Sequence, residues 1–505
     1  MNERIENYPV APTEPNPGRR TIPLIHERSR AGRRAIHLPK SDVPSYGFEE
    51  SLLRPEHDVP ELPQVSELDL VRHYTRLSQT NFSIDTNFYP LGSCTMKYNP
   101  KINEHVASMR GFAESHPLSP VESQQGNLEL LYRLERALID ISGFEAASLQ
   151  PAAGAQGELT GILMIRAYHE QRGDTRRTRV LVPDSAHGTN PATCTMAGYQ
   201  AVEIPSDSEG NVDLEALRAE CDETVAGLMI TNPNTAGLFE QQILEVTRAV
   251  HECGGLVYGD GANMNAILGI VRPGDLGIDV MHFNLHKTFS TPHGGGGPGA
   301  GPVAAAAVLA DYLPGPRVVP DDIGEADRDG IPTFRFERPA HSIGRVKAFF
   351  GNFGMLVRAY TYILRHGKTG MRRIGENAVL NANYLKHLVA DEFPAKFKRS
   401  CMHEFVATGA IFEGVHTMDI AKRMIDYGVH PPTVYFPLIV KEALMIEPTE
   451  SESRETLEEF AAVLKAIARE ARENPEILHN APYTTPLSRL DEVSAARSPV
   501  LCYRG

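Results

Sequence analysis

Apolar residues in the middle of this chain gather in short unbroken runs: RVLVP (179–183), AVEIP (201–205), GLMITNP (227–233), GLVYGD (255–260), VMHFNL (280–285) and PVAAAAVLA (302–310). Between them the spacing changes. From Asp213 to Cys221 and from Gln241 to Cys253 apolar residues recur every three or four positions, the second segment closing at Gly254-Gly255. Strand-like runs alternating with helical segments from Ala146 to about Ala310 predict a parallel sheet with crossover helices, an α/β domain.

The flanks read differently. Residues 1–65 are rich in proline and mixed charge with little periodicity, which predicts an extended arm packed on another domain or subunit. A helix is predicted from Asp69, and a stronger one over Asn127–Ser142, ended by Gly143. Beyond a Pro/Gly/Asp-rich stretch at 313–332, helical spacing runs from about Arg345 to Leu388. Strand-like segments follow at Glu404–Phe412 and Ala443–Glu447, then an amphipathic helix over Ser453–Asn474. The expected division is an arm (1–65), a large α/β domain (66–335) and a smaller C-terminal α+β domain (336–505).

Composition narrows the class. With 505 residues, 41% of them apolar, the chain can bury several cores. Its formal charge of −14, without a basic block, argues against nucleic acid as a partner. Cys94, Cys194, Cys221, Cys253, Cys401 and Cys502 are scattered with no C-x-x-C pair, so neither a metal site nor a disulfide framework is expected. The polar, Pro-rich N-terminus has no signal-like core, and no apolar run approaches the ~20 residues of a membrane span. The expectation is a cytoplasmic protein with no membrane association.

Ligands of parallel α/β sheets bind beyond the carboxyl ends of the strands, so the residues there carry the candidate chemistry. VMHFNL releases His286, Lys287 and Thr288. By residue type alone a lysine in a loop is a surface residue. Here it stands before Ser290-Thr291-Pro292-His293 and four successive glycines, a run that suits backbone passing close to a ligand or another chain and, taken alone, equally suits a floppy loop. A lysine so placed can form an imine with an aldehyde cofactor. GLVYGD delivers Asp260, followed by Gly261 and Ala262, where a carboxylate can hold a protonated pyridine nitrogen. RVLVP leads to His187, whose ring can stack on a cofactor. Gly154, Ala155 and Gln156 open a helix whose free N–H groups suit a phosphate. Neither G-x-G-x-x-G nor the Walker loop is matched, which disfavours a nucleotide. Anion cradle, ring stacker, pyridinium partner and imine lysine, in that order, describe a pyridoxal-phosphate site, with phosphate contacts from His286 and Thr288 expected by position.

The stretches FYPLGSCTMKYNP, QPAAGAQGE, SAHGTNPATCTMAGY, TNPNTAGLFE, YGDGANMNA, GIVRPGDLGIDVMHFNLHKTFSTPHGGGGPGAGP, GNFGMLVRAYTYIL and PPTVYFPLIVKEALMIEPTESES resemble the P-protein family of the glycine cleavage system, in its subunit 2 form. The resemblance covers about residues 88–453. It implies the fold-type I pyridoxal-phosphate transferase fold, with a mostly parallel seven-stranded sheet in the large domain. It also implies pyridoxal 5'-phosphate as cofactor, Lys287 as Schiff-base lysine, Asp260 at the pyridine nitrogen and His187 over the ring. The implied reaction decarboxylates glycine and passes the aminomethyl group to the lipoyl arm of H-protein, with Lys287, His187 or His293 moving protons. The implied assembly is a two-plus-two heterotetramer with a homologous subunit 1. Ser290 departs from the cysteine of many relatives, so redox control at that position is not expected. Cys502, near the chain end, is a candidate for a mobile redox lid. Two other readings compete. Another fold-type I decarboxylase or lyase would share Lys287 and Asp260 without PLGSCTMK or the polyglycine run. A cofactor-free scaffold half would have no use for Lys287, Asp260 and His187 together.

Overall fold

The computed structural model describes residues 9–14, 21–55, 62–294, 299–321 and 332–502. The polyglycine segment 295–297 falls outside them. The described part of the arm forms only 3-10 turns, at Ile25–Arg28 and Glu50–Leu52. It is anchored where Arg423, fully buried, donates to the Ala11 and Pro12 carbonyls at 3.0 and 2.7 Å.

Helices α1 (Glu67–Gln79), α2 (Lys101–Ala107) and α3 (Gln125–Ser142) precede the sheet. Ser66 caps α1 by accepting from the Asp69 amide. Gly143, at φ 78°, ends α3 in the left-handed conformation that glycine adopts without penalty. Then follow β1 (Ala146–Ser148), α4 (Gly154–Gln171), β2 (Arg179–Pro183), α5 (Thr189–Met196), β3 (Gln200–Ile204), α6 (Leu214–Glu220), β4 (Val225–Thr231), α7 (Ile243–Glu252), β5 (Leu256–Gly261), β6 (Val280–Phe283) and β7 (Val303–Ala305). They build one seven-stranded sheet in the order β1-β7-β6-β5-β4-β2-β3, with β7 alone reversed, antiparallel to both β6 and β1. β4 is buried at every residue, which is why its sequence is a continuous apolar run instead of an alternation.

The apolar run at 302–310 divides at its midpoint. Only Val303–Ala305 pairs as strand, and Ala307–Ala310 turns into a short helix, as alanine favours once no partner strand claims the backbone. The hairpin β8 (Arg317–Pro320) with β9 (Phe334–Glu337) follows. Helix α8 (Phe353–Val389), kinked at Gly367 where φ is 57°, begins later than the spacing from Arg345 suggests, because Phe349 and Gly351 hold positive φ and helix cannot pass through them. Gly351 is required there, since a Cβ would lie 2.4 Å from the Leu149 carbonyl oxygen.

The C-terminal part pairs β10 (Phe405–Thr408) and β11 (Thr433–Val434) on either side of β12 (Ala443–Ile446). Helices α9 (Thr417–Asp426) and α10 (Arg454–Glu473) complete it, the latter capped by Ser453. Its core of Phe405, Ile420, Leu444, Phe460 and Leu464 is separate from the sheet core of Leu134, Leu138, Leu181, Leu228 and Val257. Each such fully buried side chain contributes about 1.5–3 kcal/mol. Helix α8 serves both: Leu356, Ala359 and Ile374 join the sheet core, and Ala382, Leu385 and Val389 the smaller one. No helix among the described residues is long and apolar enough to cross a membrane.

Candidate active site

Strands β2, β4, β5 and β6 run parallel, so their carboxyl ends share one edge of the sheet. Thr231, Asp260 and His282 are register partners across β4, β5 and β6 and therefore project from the same face. They line a cavity of about 260 Å³ together with His187, Asn284, Lys287 and the first residues of α4.

Asp260 is buried and ionised. Burial pushes its carboxyl up, but His282 at 3.6 Å, the Ala262 amide at 2.9 Å, the Lys287 charge and the Asn190 amide at 3.2 Å outweigh it and hold it below the usual range. Asn190 also donates to Glu158 at 2.8 Å, placing a second carboxylate beside the first. Burial and the Asp260 charge push Glu158 up to about 7. His282 is held on both sides, by the Tyr258 hydroxyl at Nδ1 and by Asn284 at Nε2, the latter 2.8 Å away. Burial lowers its pKa, and the Asp260 charge opposes that.

Lys287 lies four residues beyond β6, half-buried, in the cavity wall. Among the described residues no hydrogen bond or ion pair engages its amine. Its charge reaches His286 and His293, whose rings meet edge to face at 5.4 Å. Burial first and Lys287 second push His286 down to about 3, and His293 is lowered by the same two causes. His187 lines the cavity from the turn after β2. Its Nδ1 accepts from the Thr189 amide at 3.2 Å, which leaves Nε2 to carry the proton of the neutral ring, and burial lowers its pKa.

Of the other residues expected from sequence, Gly154, Ala155, Ala262 and His286 line the cavity. A Cβ on Gly154 would fall 2.3 Å from Asn284 Oδ1 and would displace that side chain. Gln156 and Thr288 lie outside the lining. The Gln156 side chain instead ties the start of α4 to its surroundings, accepting from the Ala152 amide at 2.6 Å and donating to the Val346 carbonyl at 2.5 Å. The Thr288 hydroxyl is buried without a partner. Ser290 is buried at φ 53°, its hydroxyl donating to the Tyr98 carbonyl at 2.6 Å. Cys502 is exposed.

Sequence reasoning missed Glu158, Asn190, His282, Asn284 and Ser93. His282 had a signal, a polar residue inside the apolar run of β6. Ser93 had only its place in the PLGSCTMK motif, because it arrives from a loop outside the sheet. A further buried group, His403, Glu404 and Glu447, brings its polar atoms within 4.8 Å of one another, a composition that also suits a cation.

The residues present fit pyridoxal phosphate. Four buried polar atoms on the cavity wall have no partner, namely His286 Nδ1, His293 Nδ1, Thr231 Oγ1 and Asn263 Oδ1. Orphaned polar groups inside a protein are rare and mark where a polar ligand belongs. The start of α4, open because Gly154 carries no side chain, offers N–H groups to a phosphate.

Comparisons with known proteins identify the family. Residues 374–483 match the family model described as glycine dehydrogenase, C-terminal domain. The chain is 56% identical over 483 residues to glycine dehydrogenase (decarboxylating) subunit 2 of Caldanaerobacter subterraneus subsp. tengcongensis, covering 95% of this chain and 98% of that one. It is 56% identical over 484 residues to the protein of the same name from Thermotoga maritima, covering 95% and 100%. Among solved structures it resembles a glycine decarboxylase (P-protein) of the glycine cleavage system in inhibitor-bound form, with TM-score 0.69 and 20% identity over 83% of this chain and 92% of that chain. It also resembles a sphingosine-1-phosphate lyase from Burkholderia pseudomallei, with TM-score 0.59 and 15% identity over 86% and 94%. These neighbours place the fold among the fold-type I pyridoxal-phosphate enzymes. With more than half its residues identical to these relatives over nearly its whole length, the chain belongs to the family of glycine dehydrogenase (decarboxylating) subunit 2.

Proposed function

We propose that this chain is the catalytic, pyridoxal-phosphate-carrying subunit of a glycine decarboxylase, acting in the cytoplasm with a homologous subunit 1 in a two-plus-two assembly and with lipoylated H-protein. The observation that carries the reading is the Lys287 amine, without a hydrogen bond or ion pair among the described residues, sharing one cavity with a buried, ionised Asp260. Lys287 would hold the cofactor's aldehyde carbon, Asp260 its ring nitrogen, and the start of α4 with His286 its phosphate. His187, neutral, offers an aromatic face to the ring.

When bound, pyridoxal phosphate supplies an electron sink for the pair left behind as the glycine carboxylate departs. This chain's residues prepare for that in definite ways. Asp260 stays charged against its burial because His282, the Ala262 amide and Asn190 all favour the anion, so it would hold the cofactor's ring nitrogen in its protonated form. Glu158, pushed up to about 7, sits one amide away and limits how much negative charge gathers there. Lys287 Nζ, free of other partners, can take up and return protons, and His187 and His293 are neutral bases within the same wall. Overall, glycine loses CO2, the lipoyl disulfide opens, one sulfur bonds the aminomethyl carbon, and the other leaves as a thiol.

Exchange of labelled bicarbonate into glycine, run with lipoylated H-protein and with this chain alone or mixed with subunit 1, tests the reading. Exchange in the mixture supports it. A bound yellow cofactor without exchange in either case would move the substrate to another amino acid.

A further inference from the structure

The cavity wall is built from residues 153–299 with one exception, Ser93. Ser93 lies in the loop Leu91–Thr95, and both Ser93 and Thr95 have positive φ, 62° and 49°, a region that side chains other than glycine rarely occupy. The smaller domain holds them there. The Ser93 amide donates to Glu404 Oε2 at 2.7 Å, and the Thr95 amide and hydroxyl donate to Glu447 at 2.8 and 2.6 Å. Leu91 bridges to Ile446, the Gly92 carbonyl accepts from Thr433 at 2.8 Å, and a Cβ on Gly92 would come within 2.3 Å of Met445.

Glu404 and Glu447 are fully buried, with His403 Nε2 3.8 and 3.9 Å away. Three of their four oxygens already accept from the loop, so the work of this buried acidic pair is to fix Ser93 and Thr95. Backbone in a sparsely populated region persists only where the surroundings over-determine it, and it gathers where a ligand is clamped. The cavity, at about 260 Å³, falls below the roughly 300 Å³ at which small-molecule sites usually begin. A cofactor and an amino acid sharing it leave little room for a substituent on the amino acid's α-carbon.

We propose that Ser93, positioned by Glu404 and Glu447, is the specificity-determining residue that restricts the substrate to an amino acid without a side chain. This rests on the reading of the cavity as the cofactor and glycine site. Ser93 is the part of the wall supplied from outside residues 153–299, and the two glutamates set where it stands.

The test uses the holoenzyme, this chain with its partner subunit and bound pyridoxal phosphate, titrated with glycine and with alanine while the visible absorbance is followed. Wild type should bind glycine at least about tenfold more tightly than alanine, the least that one methylene is worth in a fitted pocket. Ser93→Gly removes the side chain and frees the backbone, and should reduce that ratio about tenfold. Thr95→Val keeps the shape and deletes one bond to Glu447. It should shift the ratio the same way by about two- to threefold, with the visible band retained, an effect that a general loss of stability would not produce. If Ser93→Gly fails to fold, Thr95→Val decides alone. A wild type selecting glycine with a ratio that the folded variants leave unchanged overturns this proposal only. A wild type selecting a larger amino acid over glycine overturns the functional reading along with it.

Discussion

Lys97 and Lys287 approach the same seam between the domains and are treated in opposite ways. Lys97 is buried, and its ammonium donates to Asn265 Oδ1 and the Thr288 carbonyl at 2.8 Å and to Glu450 at 2.9 Å, with the Tyr362 ring 5.1 Å away. Burial lowers its pKa, and Glu450 opposes that. Lys287, one residue from that same carbonyl, is half-buried, and no described residue engages its amine. A saturated buried lysine costs its desolvation and returns a fixed geometry. An unsaturated one is available to react. The first fastens the loop that carries the second.

Removing each lysine should therefore fail in a different way. Lys287→Ala should abolish the visible band and lower bicarbonate exchange by about three orders of magnitude or more, with denaturant unfolding little changed. A variant keeping glycine-dependent exchange would remove Lys287 from the chemistry. Lys97→Met strands Glu450 beside Asn265 and should destabilise the protein by about 3–5 kcal/mol, read from urea unfolding. A stable Lys97→Met variant would mean that the clamp is dispensable.

The contrast extends to carboxylates. Asp260 is compensated, whereas Glu158, buried and then crowded by it, is pushed up to about 7. An acid whose folded pKa lies above its unfolded value contributes stability in full below the unfolded value, near 4.3, and loses it as pH rises through the folded one. Cofactor-free protein should thus lose on the order of 3 kcal/mol from this group as pH rises from about 4.3 to beyond 7, and Glu158→Gln should flatten the curve. Unfolding midpoints across that range check it, and an identical slope in the variant would refute the assignment. The smallest effect belongs to the seam itself. Ser290→Ala deletes the bond to the Tyr98 carbonyl and should cost about 1 kcal/mol with the visible band intact, measured by unfolding and absorbance.

Most of the sheet was legible because its strands are apolar runs closed by turn residues. Five of the six runs recur as strands within two residues at either end, and only 302–310 divides. β1 escaped notice, since three small residues carry no periodicity, as did α9 and the β8/β9 hairpin, whose polar, turn-rich flanks dilute any pattern. In the site, Lys287, Asp260 and His187 were visible through their place after strands. The residues that orient them were not. Asn190 and Glu158 meet only because α4 and α5 pack over the sheet, and Ser93, Thr95 and Lys97 are held at the cavity and its loop by contacts with Glu404, Glu447 and Glu450 respectively, more than 300 positions away. Sequence periodicity reports local burial and does not encode such long-range partners.

The sheet order carries a consequence for how the chain comes into being. β1 is an edge strand whose one neighbour is β7, more than 150 residues later. At roughly 5–20 residues per second, synthesis leaves β1 unpaired for about 8–30 s while β2 to β6 already have neighbours. Closure of the sheet therefore waits for the segment just past Lys287, so the edge is sealed only after the reactive lysine has emerged.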